Sequence, residues 1–119
     1  MEFEKIGEIT ICRFEGKVTL DQMVERVLEA IVEARGQGVR KLMLVTAGLT
    51  GFPRPSVADR YHFITKWAEA AGGMRVAMVT VPERIDPQRF GVVVAENLGV
   101  TSNVFVTEEE ALDWLKGMG

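Results

Sequence analysis

The sequence predicts a single layered α/β domain with a mixed, largely parallel central sheet. Two observations carry this prediction. Segments of helical periodicity alternate with short apolar runs, which is typical of parallel strands joined by helical crossovers. Residues 41–47 and 74–81 are nearly continuous in apolar side chains, as in strands that are buried on both faces. The 119 residues suit one domain, residues 1–119, with the element order β-β-α-β-α-β-α-β-α.

The first two strands are predicted to form an N-terminal hairpin. Residues 2–6 are a candidate first strand. Residues 8–14 alternate apolar and polar side chains, which predicts a second strand with Ile11 and Cys12 on opposite faces. Residues 15–17 include a glycine and are predicted to form a turn. Cys12 is the single cysteine, so we expect a buried, reduced thiol and no internal disulfide.

Each helix is predicted from a capping residue followed by apolar residues at helical spacing. The expected N-terminal caps are Thr19, Ser56, Asp86 (with Pro87 at the first helical position) and Thr107. Gln22 and Glu110 complete capping boxes with the two threonines. The helices are expected to end at Gly36, Gly72 and Gly99. The second helix is expected to bury a stripe of Val57, Tyr61, Ile64, Ala68 and Ala71, and a last strand is expected over residues 101–106.

Charge and composition exclude several classes of function. The 14 Lys and Arg residues are outnumbered by 17 Asp and Glu residues, which gives a net charge of −3 and disfavours nucleic-acid binding. No apolar stretch is long enough to span a membrane, and the acidic N-terminus lacks the plan of a signal peptide, so a cytoplasmic protein is expected. One cysteine and one histidine cannot build a common zinc site, and we expect neither a metal nor a cofactor.

The motifs of common enzymes are missing from the sequence. The Gly36-Gln-Gly38 segment ends a helix instead of beginning one, which excludes a dinucleotide or phosphate-binding loop. His62 lies beside the predicted stripe of the second helix, so a surface or half-buried side chain is favoured over a catalytic base. No serine or cysteine stands at a spacing that indicates a nucleophile and base pair. We therefore expect no enzymatic activity and assign no catalytic residue.

A candidate binding site follows the first buried strand. Residues 48–55 form a predicted loop at the carboxyl end of that strand, where open α/β sheets bind their ligands. The candidate residues for an anionic ligand or a protein partner are Thr50, Arg54, Ser56 and Arg60, with Arg84 from the loop after the next strand. The alternative is a pair of solvated loops without a ligand.

Ser56 has two interpretations. As a helix cap it needs no further role, because its hydroxyl accepts a hydrogen bond from a backbone amide that would otherwise lack a partner. As a phosphorylation site it would place a phosphate at the positive end of the helix, near Arg54 and Arg60. Both interpretations stay open from the sequence.

A second candidate surface is apolar. Residues 90–95 carry apolar side chains around more than one face of the third helix, and Phe63 and Trp67 lie off the predicted stripe of the second helix. We expect Phe63, Trp67, Phe90 and Val94 to contribute to a homodimer or partner surface. The alternative is close packing of the third helix and coverage of the sheet edge.

Three segments together resemble the STAS / SpoIIAA-like superfamily, which has the anti-sigma-factor-antagonist fold. They are the hairpin with the helix over residues 19–35, the strand and loop Lys41-Leu-Met-Leu-Val-Thr-Ala-Gly-Leu-Thr-Gly-Phe52, and the ending Val104-Phe-Val-Thr-Glu-Glu-Glu-Ala-Leu-Asp-Trp-Leu115. In anti-sigma antagonists an Asp-Ser-[Ser/Thr]-Gly loop carries a serine that a partner kinase phosphorylates. This chain has Phe52-Pro-Arg-Pro-Ser-Val-Ala-Asp-Arg60 there, and Ser56 is the nearest equivalent hydroxyl. The departure indicates the divergent SpoIIAA-like branch.

The resemblance implies a non-enzymatic regulatory interaction or ligand-binding module. Its partner would be a protein or a small ligand met by the loop before the second helix. The alternative is a SEC14-like binder of an apolar small molecule or lipid, with a pocket between the third helix and the sheet. An enzyme is the third and least favoured hypothesis.

Overall fold

The described residues form five strands and four α-helices, which follow one another in the order that the sequence predicts. The structure is a computed structural model and describes residues 2–86 and 88–117. The strands are β1 (Glu4–Ile6), β2 (Ile9–Lys17), β3 (Lys41–Thr50), β4 (Arg75–Val79) and β5 (Thr101–Phe105). The helices are α1 (Leu20–Gly36), α2 (Val57–Ala71), α3 (Phe90–Asn97) and α4 (Glu108–Gly117), with one 3-10 turn at Pro82–Arg84.

The strands form one sheet in the order β1-β2-β3-β4-β5. β1 is antiparallel to β2, and the other neighbouring pairs are parallel. The predicted fold class, a mixed and largely parallel sheet with helical crossovers, is confirmed. Parallel strands end at a common edge, so the loops after β3, β4 and β5 meet on one side of the molecule.

The helices divide the core into two layers. One face of the sheet packs against α1, α2 and α3, and the other face packs against α4. The alternation predicted for the second strand is confirmed, because Cys12 faces the larger layer and Ile11 the smaller one. Cys12 is a free, buried thiol, and burial raises its pKa. Thr19 forms the predicted capping box with Gln22 at the start of α1.

Two segments predicted as turn or loop belong to strands instead. Residues 15–17 continue β2 and pair with residues 48–50, which continue β3, beyond a bulge between Arg13 and Glu15. The glycine in each segment is a residue typical of turns and loops. In the sheet, however, a Cβ atom at Gly48 would lie 2.7 Å from the carbonyl oxygen of Phe14. Glycine therefore permits the close strand contact at this position.

The predicted phase of α2 is wrong over its first two turns. Val57 and Tyr61 are 67% and 55% exposed, whereas Phe63, which lies off the predicted stripe, is buried against the core. The buried residues of α2 are Phe63, Ala68 and Ala71, so the helix packs against the core from its middle onward. The predicted start of α3 is also wrong, because the helix begins at Phe90, and Pro87 lies outside the described residues.

An ion cluster ties the N-terminal hairpin to the last helix. The Arg13 guanidinium donates hydrogen bonds to Glu108 at 3.0 and 2.6 Å, and it also donates to Glu4. These hydrogen bonds lower the pKa of Glu108 from its ordinary value of 4.5. Because the pKa of Glu108 is lower in the folded state than in the unfolded chain, the ion pair stabilises the fold at pH values above 4.5. This stabilisation is lost as the pH falls through the folded-state pKa.

Glu108→Gln is expected to lower the free energy of unfolding at neutral pH by less than about 1 kcal/mol, because the pair is solvent-exposed. The deficit relative to the unmodified chain should shrink as the pH falls below 4.5. Urea unfolding at a series of pH values measures it. Glu109→Gln removes a neighbouring exposed carboxylate and is the control. A deficit that does not change with pH would contradict the ion-pair explanation.

Candidate functional site

A cleft lies at the carboxyl ends of β3, β4 and β5, between α2, α3 and the sheet. Its volume is about 140 Å³, and its walls are almost wholly apolar. A second apolar space of about 100 Å³ adjoins it along the same helices. The two spaces share Ile64, Trp67, Met78, Gly91, Val92 and Val104 in their walls. We name these two neighbouring spaces, taken together, the α2–α3 cleft.

Aromatic side chains of α2 form one wall of the cleft. The rings of Phe63 and Trp67 lie with their centroids 4.7 Å apart. The indole nitrogen of Trp67 donates a hydrogen bond to the carbonyl oxygen of Val24 at 3.1 Å, which satisfies its only polar atom. The ring therefore presents apolar surface to the cleft without a lone donor. Such a wall suits hydrocarbon better than a polar ligand.

A glycine in α3 sets the width of the cleft. A Cβ atom at Gly91 would lie 2.6 Å from the Cδ1 atom of Ile64, so α3 approaches α2 closely at this point. Val92, the next residue, faces the cleft, and Val93 is 49% exposed on the outer side. In α3, Val92 therefore faces the cleft and the adjacent Val93 faces the solvent.

Charged side chains form part of the cleft lining, and because none of them is buried we name this part the mouth of the cleft. Arg54, Arg60, Asp86 and Arg89 line it together with Arg84. Within residues 2–86 and 88–117, neither Arg54 nor Arg60 forms a salt bridge or a hydrogen bond through its guanidinium. Two arginines near one another and without a direct partner can bind an anionic group at the end of an apolar ligand.

Asp86 holds the start of α3. Its carboxylate accepts hydrogen bonds from the backbone N–H groups of Phe90 at 2.9 Å and Gln88 at 3.2 Å. These bonds, and after them the charges of Arg60 and Arg54, lower the pKa of Asp86. The carboxylate is thus engaged with the backbone and offsets only part of the positive charge at the mouth. Asp86 satisfies helix amides as predicted, although it is not the residue that directly precedes the helix.

Arg89 was not identified from the sequence. It is the one non-glycine residue with a positive φ among those described, at 51°. Its guanidinium donates hydrogen bonds to the Asn103 side chain and to the carbonyl oxygen of Val104 at 3.1 Å, which joins α3 to β5. Arg89 follows the buried strand β4, and residues after a buried strand lie at the edge of the sheet where ligands bind. The same reasoning predicted Arg84, so it could also have identified Arg89.

Arg84 has a structural role at the site, and its predicted role as a ligand residue stays a prediction. Its guanidinium donates hydrogen bonds to the carbonyl oxygen of Thr46 at 3.0 Å and to that of Leu49. It also lies over the ring of Phe52, 4.6 Å from the centroid. Its donors are directed to the end of β3 and hold the following loop in place. Among the described residues, Arg54 and Arg60 are the arginines of the cleft whose guanidinium groups form no such bonds.

Ser56 caps α2 from outside the cleft. Its hydroxyl accepts a hydrogen bond from the backbone N–H of Asp59 at 3.1 Å, and the Asp59 carboxylate accepts one from the backbone N–H of Ser56 at 3.4 Å. This reciprocal pair is a capping box. The side chain is exposed at the beginning of the helix. The predicted cap is confirmed, and phosphorylation of Ser56 stays a prediction.

Ser56→Ala is expected to lower the free energy of unfolding by about 1 kcal/mol, because an amide at the helix start loses its partner. Ser56→Asp keeps a capping oxygen and should retain most of the stability. Urea unfolding of the two variants measures the difference. Equal losses in both variants would contradict the capping role.

The remaining predicted residues lie in different places. Thr50 ends β3, where its carbonyl oxygen accepts a hydrogen bond from the N–H of Val18 at 2.8 Å, and it does not line the cleft. The expected exposed surface is wrong for Phe63 and Val94, which are buried, and Trp67 and Phe90 are half-buried. Phe63 and Trp67 instead line the cleft. His62 is exposed, 6.4 Å from the Tyr61 ring between centroids.

Two further properties concern the described part of the chain as a whole. No helix in it is long and apolar enough to cross a membrane. Its His, Cys, Asp and Glu side chains form no group of three that could hold a metal ion.

Solved structures with the same arrangement of elements have low sequence identity to this chain. The anti-sigma factor antagonist SpoIIAA in its unphosphorylated form aligns with a TM-score of 0.55 and 19% identity, over 98% of this chain and 97% of that chain. A candidate anti-sigma factor antagonist from Thermotoga maritima aligns with a TM-score of 0.58 and 13% identity, over 97% and 93%. The chain has the SpoIIAA-like fold.

The resemblance noted in the sequence is thereby confirmed at the level of fold. No protein-family model matches the sequence, and no curated protein matches it. In the SpoIIAA-like fold of this chain, the helix that follows the central strand is α2, and Ser56 is its N-cap.

Proposed function

We propose that this chain is a non-enzymatic regulatory module of SpoIIAA-like fold that binds a small amphipathic anion in the α2–α3 cleft. The ligand has a short apolar chain and a carboxylate at one end. One observation carries the proposal, namely an apolar cleft whose mouth holds Arg54 and Arg60 without ion-pair partners among the described residues. Two structural neighbours described as anti-sigma factor antagonists support a regulatory role over a catalytic one.

The size of the cleft limits the ligand. Sites for drug-sized molecules have volumes of about 300–1,000 Å³. The two adjoining spaces of about 140 and 100 Å³ are smaller, so a chain of medium length fits better than a long-chain lipid. The sequence also suggests a binder of an apolar small molecule or lipid, and the small volume favours the shorter of these ligands. The proposed ligand combines that apolar chain with the anionic group expected at the predicted anion site.

Fluorescence of Trp67 provides the test. The chain has two tryptophans, and Trp114→Phe leaves Trp67 in the cleft wall as the only one. This variant is titrated with octanoate and, separately, with octanol, both below the concentrations at which they aggregate. We expect a saturable change with both ligands and tighter binding of octanoate. No saturable change with either ligand would contradict the proposal.

Arg54→Gln with Arg60→Gln is expected to weaken octanoate binding about tenfold, since a hydrogen bond to a charged group contributes about 1.5–3 kcal/mol. Octanol binding should not change, because it has no charge to pair. Lys66→Gln with Lys116→Gln removes the same charge from exposed positions outside the cleft and is the matched control. An equal loss in the control would mean that net charge alone governs binding.

A protein-partner surface at the start of α2 is the second candidate function. Val57 and Tyr61 are exposed large apolar side chains one helical turn apart, directly after Ser56. Exposed apolar side chains beside a serine that accepts phosphate would form a switchable contact. The test is recovery of one identified protein with the tagged chain from its own host. Recovery should fall with Val57→Ser and Tyr61→Ser, and stay unchanged with Val32→Ser, which changes a valine on α1 that is 55% exposed.

A further inference from the structure

A second concave surface lies at the opposite edge of the sheet, where the parallel strands begin. Its volume is about 520 Å³, and its lining is about equally polar and apolar. Three turns surround it, the β1–β2 turn at Gly7, the α1–β3 loop at Gly38 and the α2–β4 loop at Gly73. We name it the basic depression. It shares no lining residue with the α2–α3 cleft.

Positive charge is concentrated in the basic depression. Four cations line it, Lys5, Arg40, Lys41 and Arg75, against one carboxylate, Glu8. Four positive charges minus one negative charge give a local charge of +3, whereas the whole chain has −3. A concave surface of one sign on a chain of the opposite sign concentrates oppositely charged small molecules.

The pairing of Lys41 with the one carboxylate of the depression, Glu8, is weak. The Lys41 ammonium lies 4.0 Å from the Glu8 carboxylate, and the Glu8 side chain is 89% exposed. Because the Glu8 carboxylate is solvent-exposed and 4.0 Å away, the pair contributes little, and an anion in the depression can replace Glu8. The Arg75 guanidinium lies over the Trp114 ring, 5.7 Å from its centroid, which orients it at the edge of the site.

A backbone hydrogen bond joins two of the segments around the depression, and the glycines in its turns leave space for a ligand. The N–H of Arg75 donates to the carbonyl oxygen of Arg40 at 2.8 Å, which joins two of the three surrounding segments. A Cβ atom added at Gly7, Gly38 or Gly73 would meet no atom within 4 Å. The space in front of these turns is therefore open, and a ligand can approach the backbone there.

We propose that the basic depression binds a small molecule that carries two or more phosphate groups. Its volume lies in the range of small-molecule sites. Guanidinium groups pair with phosphate oxygens through two donors at once, and ammonium groups add point charges. Four cations around one concave surface match a compact anion with several charges better than a single carboxylate. This inference does not rest on ligand binding in the α2–α3 cleft.

Calorimetric titration with inorganic pyrophosphate at low salt tests the inference. We expect one saturable site per chain, with affinity that falls as salt rises. Lys5→Gln with Arg40→Gln removes two exposed cations and is expected to weaken binding at least about tenfold. Glu8→Gln removes the competing carboxylate and is expected to strengthen binding about threefold.

Lys66→Gln with Lys116→Gln is the control, because it removes two exposed cations that do not line the depression. Unchanged pyrophosphate affinity in this variant supports a binding site formed by the residues that line the depression. Three results would overturn the inference: no saturable binding, an equal loss in the control, or no gain with Glu8→Gln. The Glu8→Gln arm keeps the test valid if the double variant proves unstable.

Discussion

Arg84→Met is expected to lower the free energy of unfolding by about 3 kcal/mol, because hydrogen bonds from a charged donor contribute about 1.5–3 kcal/mol each. The Arg84 side chain is half-buried, and its guanidinium donates hydrogen bonds to the carbonyl oxygens of Thr46 and Leu49 at the end of β3. Methionine keeps much of the apolar stem and removes both donors. The contact with the Phe52 ring is lost as well.

Urea unfolding followed by tryptophan fluorescence measures this effect. Arg60→Met is the matched control, because it makes the same change at the cleft mouth where no direct hydrogen bond is lost. Arg84→Lys should recover part of the stability, since an ammonium group has donors but lacks the planar fork. If Arg84→Met unfolds at the same urea concentration as Arg60→Met, Arg84 is not the structural residue described above.

Val92→Phe is expected to weaken octanoate binding by a factor of about 30 or more, because extra ring volume fills the space that the apolar chain needs. Val92 lines both adjoining spaces of the cleft. Fluorescence titration in the Trp114→Phe background measures the affinity. The protein should remain folded, since the added atoms enter an existing space.

Val93→Phe makes the same substitution one position further along α3, on the exposed side. It should leave octanoate affinity unchanged. Similar losses in both variants would mean that the effect comes from helix stability, and no loss in Val92→Phe would place the ligand elsewhere.

The parts of the fold that depend on local sequence were predictable. The apolar runs of β3 and β4 identified the buried strands, and the capping residues Thr19 and Ser56 identified the starts of two helices. These signals depend on residues within a few positions of each other. They also placed Arg54 and Arg60 at the correct edge of the sheet.

The parts that depend on distant contacts were not predictable. Val57 and Tyr61 are apolar and in phase, but both side chains are exposed at the start of α2. Gly48 indicated a loop, whereas it permits β3 to lie against β2. The role of Arg84 follows from carbonyl oxygens more than 30 residues away along the chain. The α2–α3 cleft depends on how α3 packs against α2 and the sheet, and no local pattern in the sequence predicts this packing.

The most direct test of the proposed function is the orientation of a bound ligand. Isotope-filtered NMR of the labelled protein with octanoate measures contacts between ligand protons and protein side chains. We predict contacts from the terminal methyl group to Val92 and Met78, and from the protons beside the carboxylate to Arg54 or Arg60 at the mouth. Contacts that fall only on residues outside the cleft, or a reversed orientation, would contradict the account.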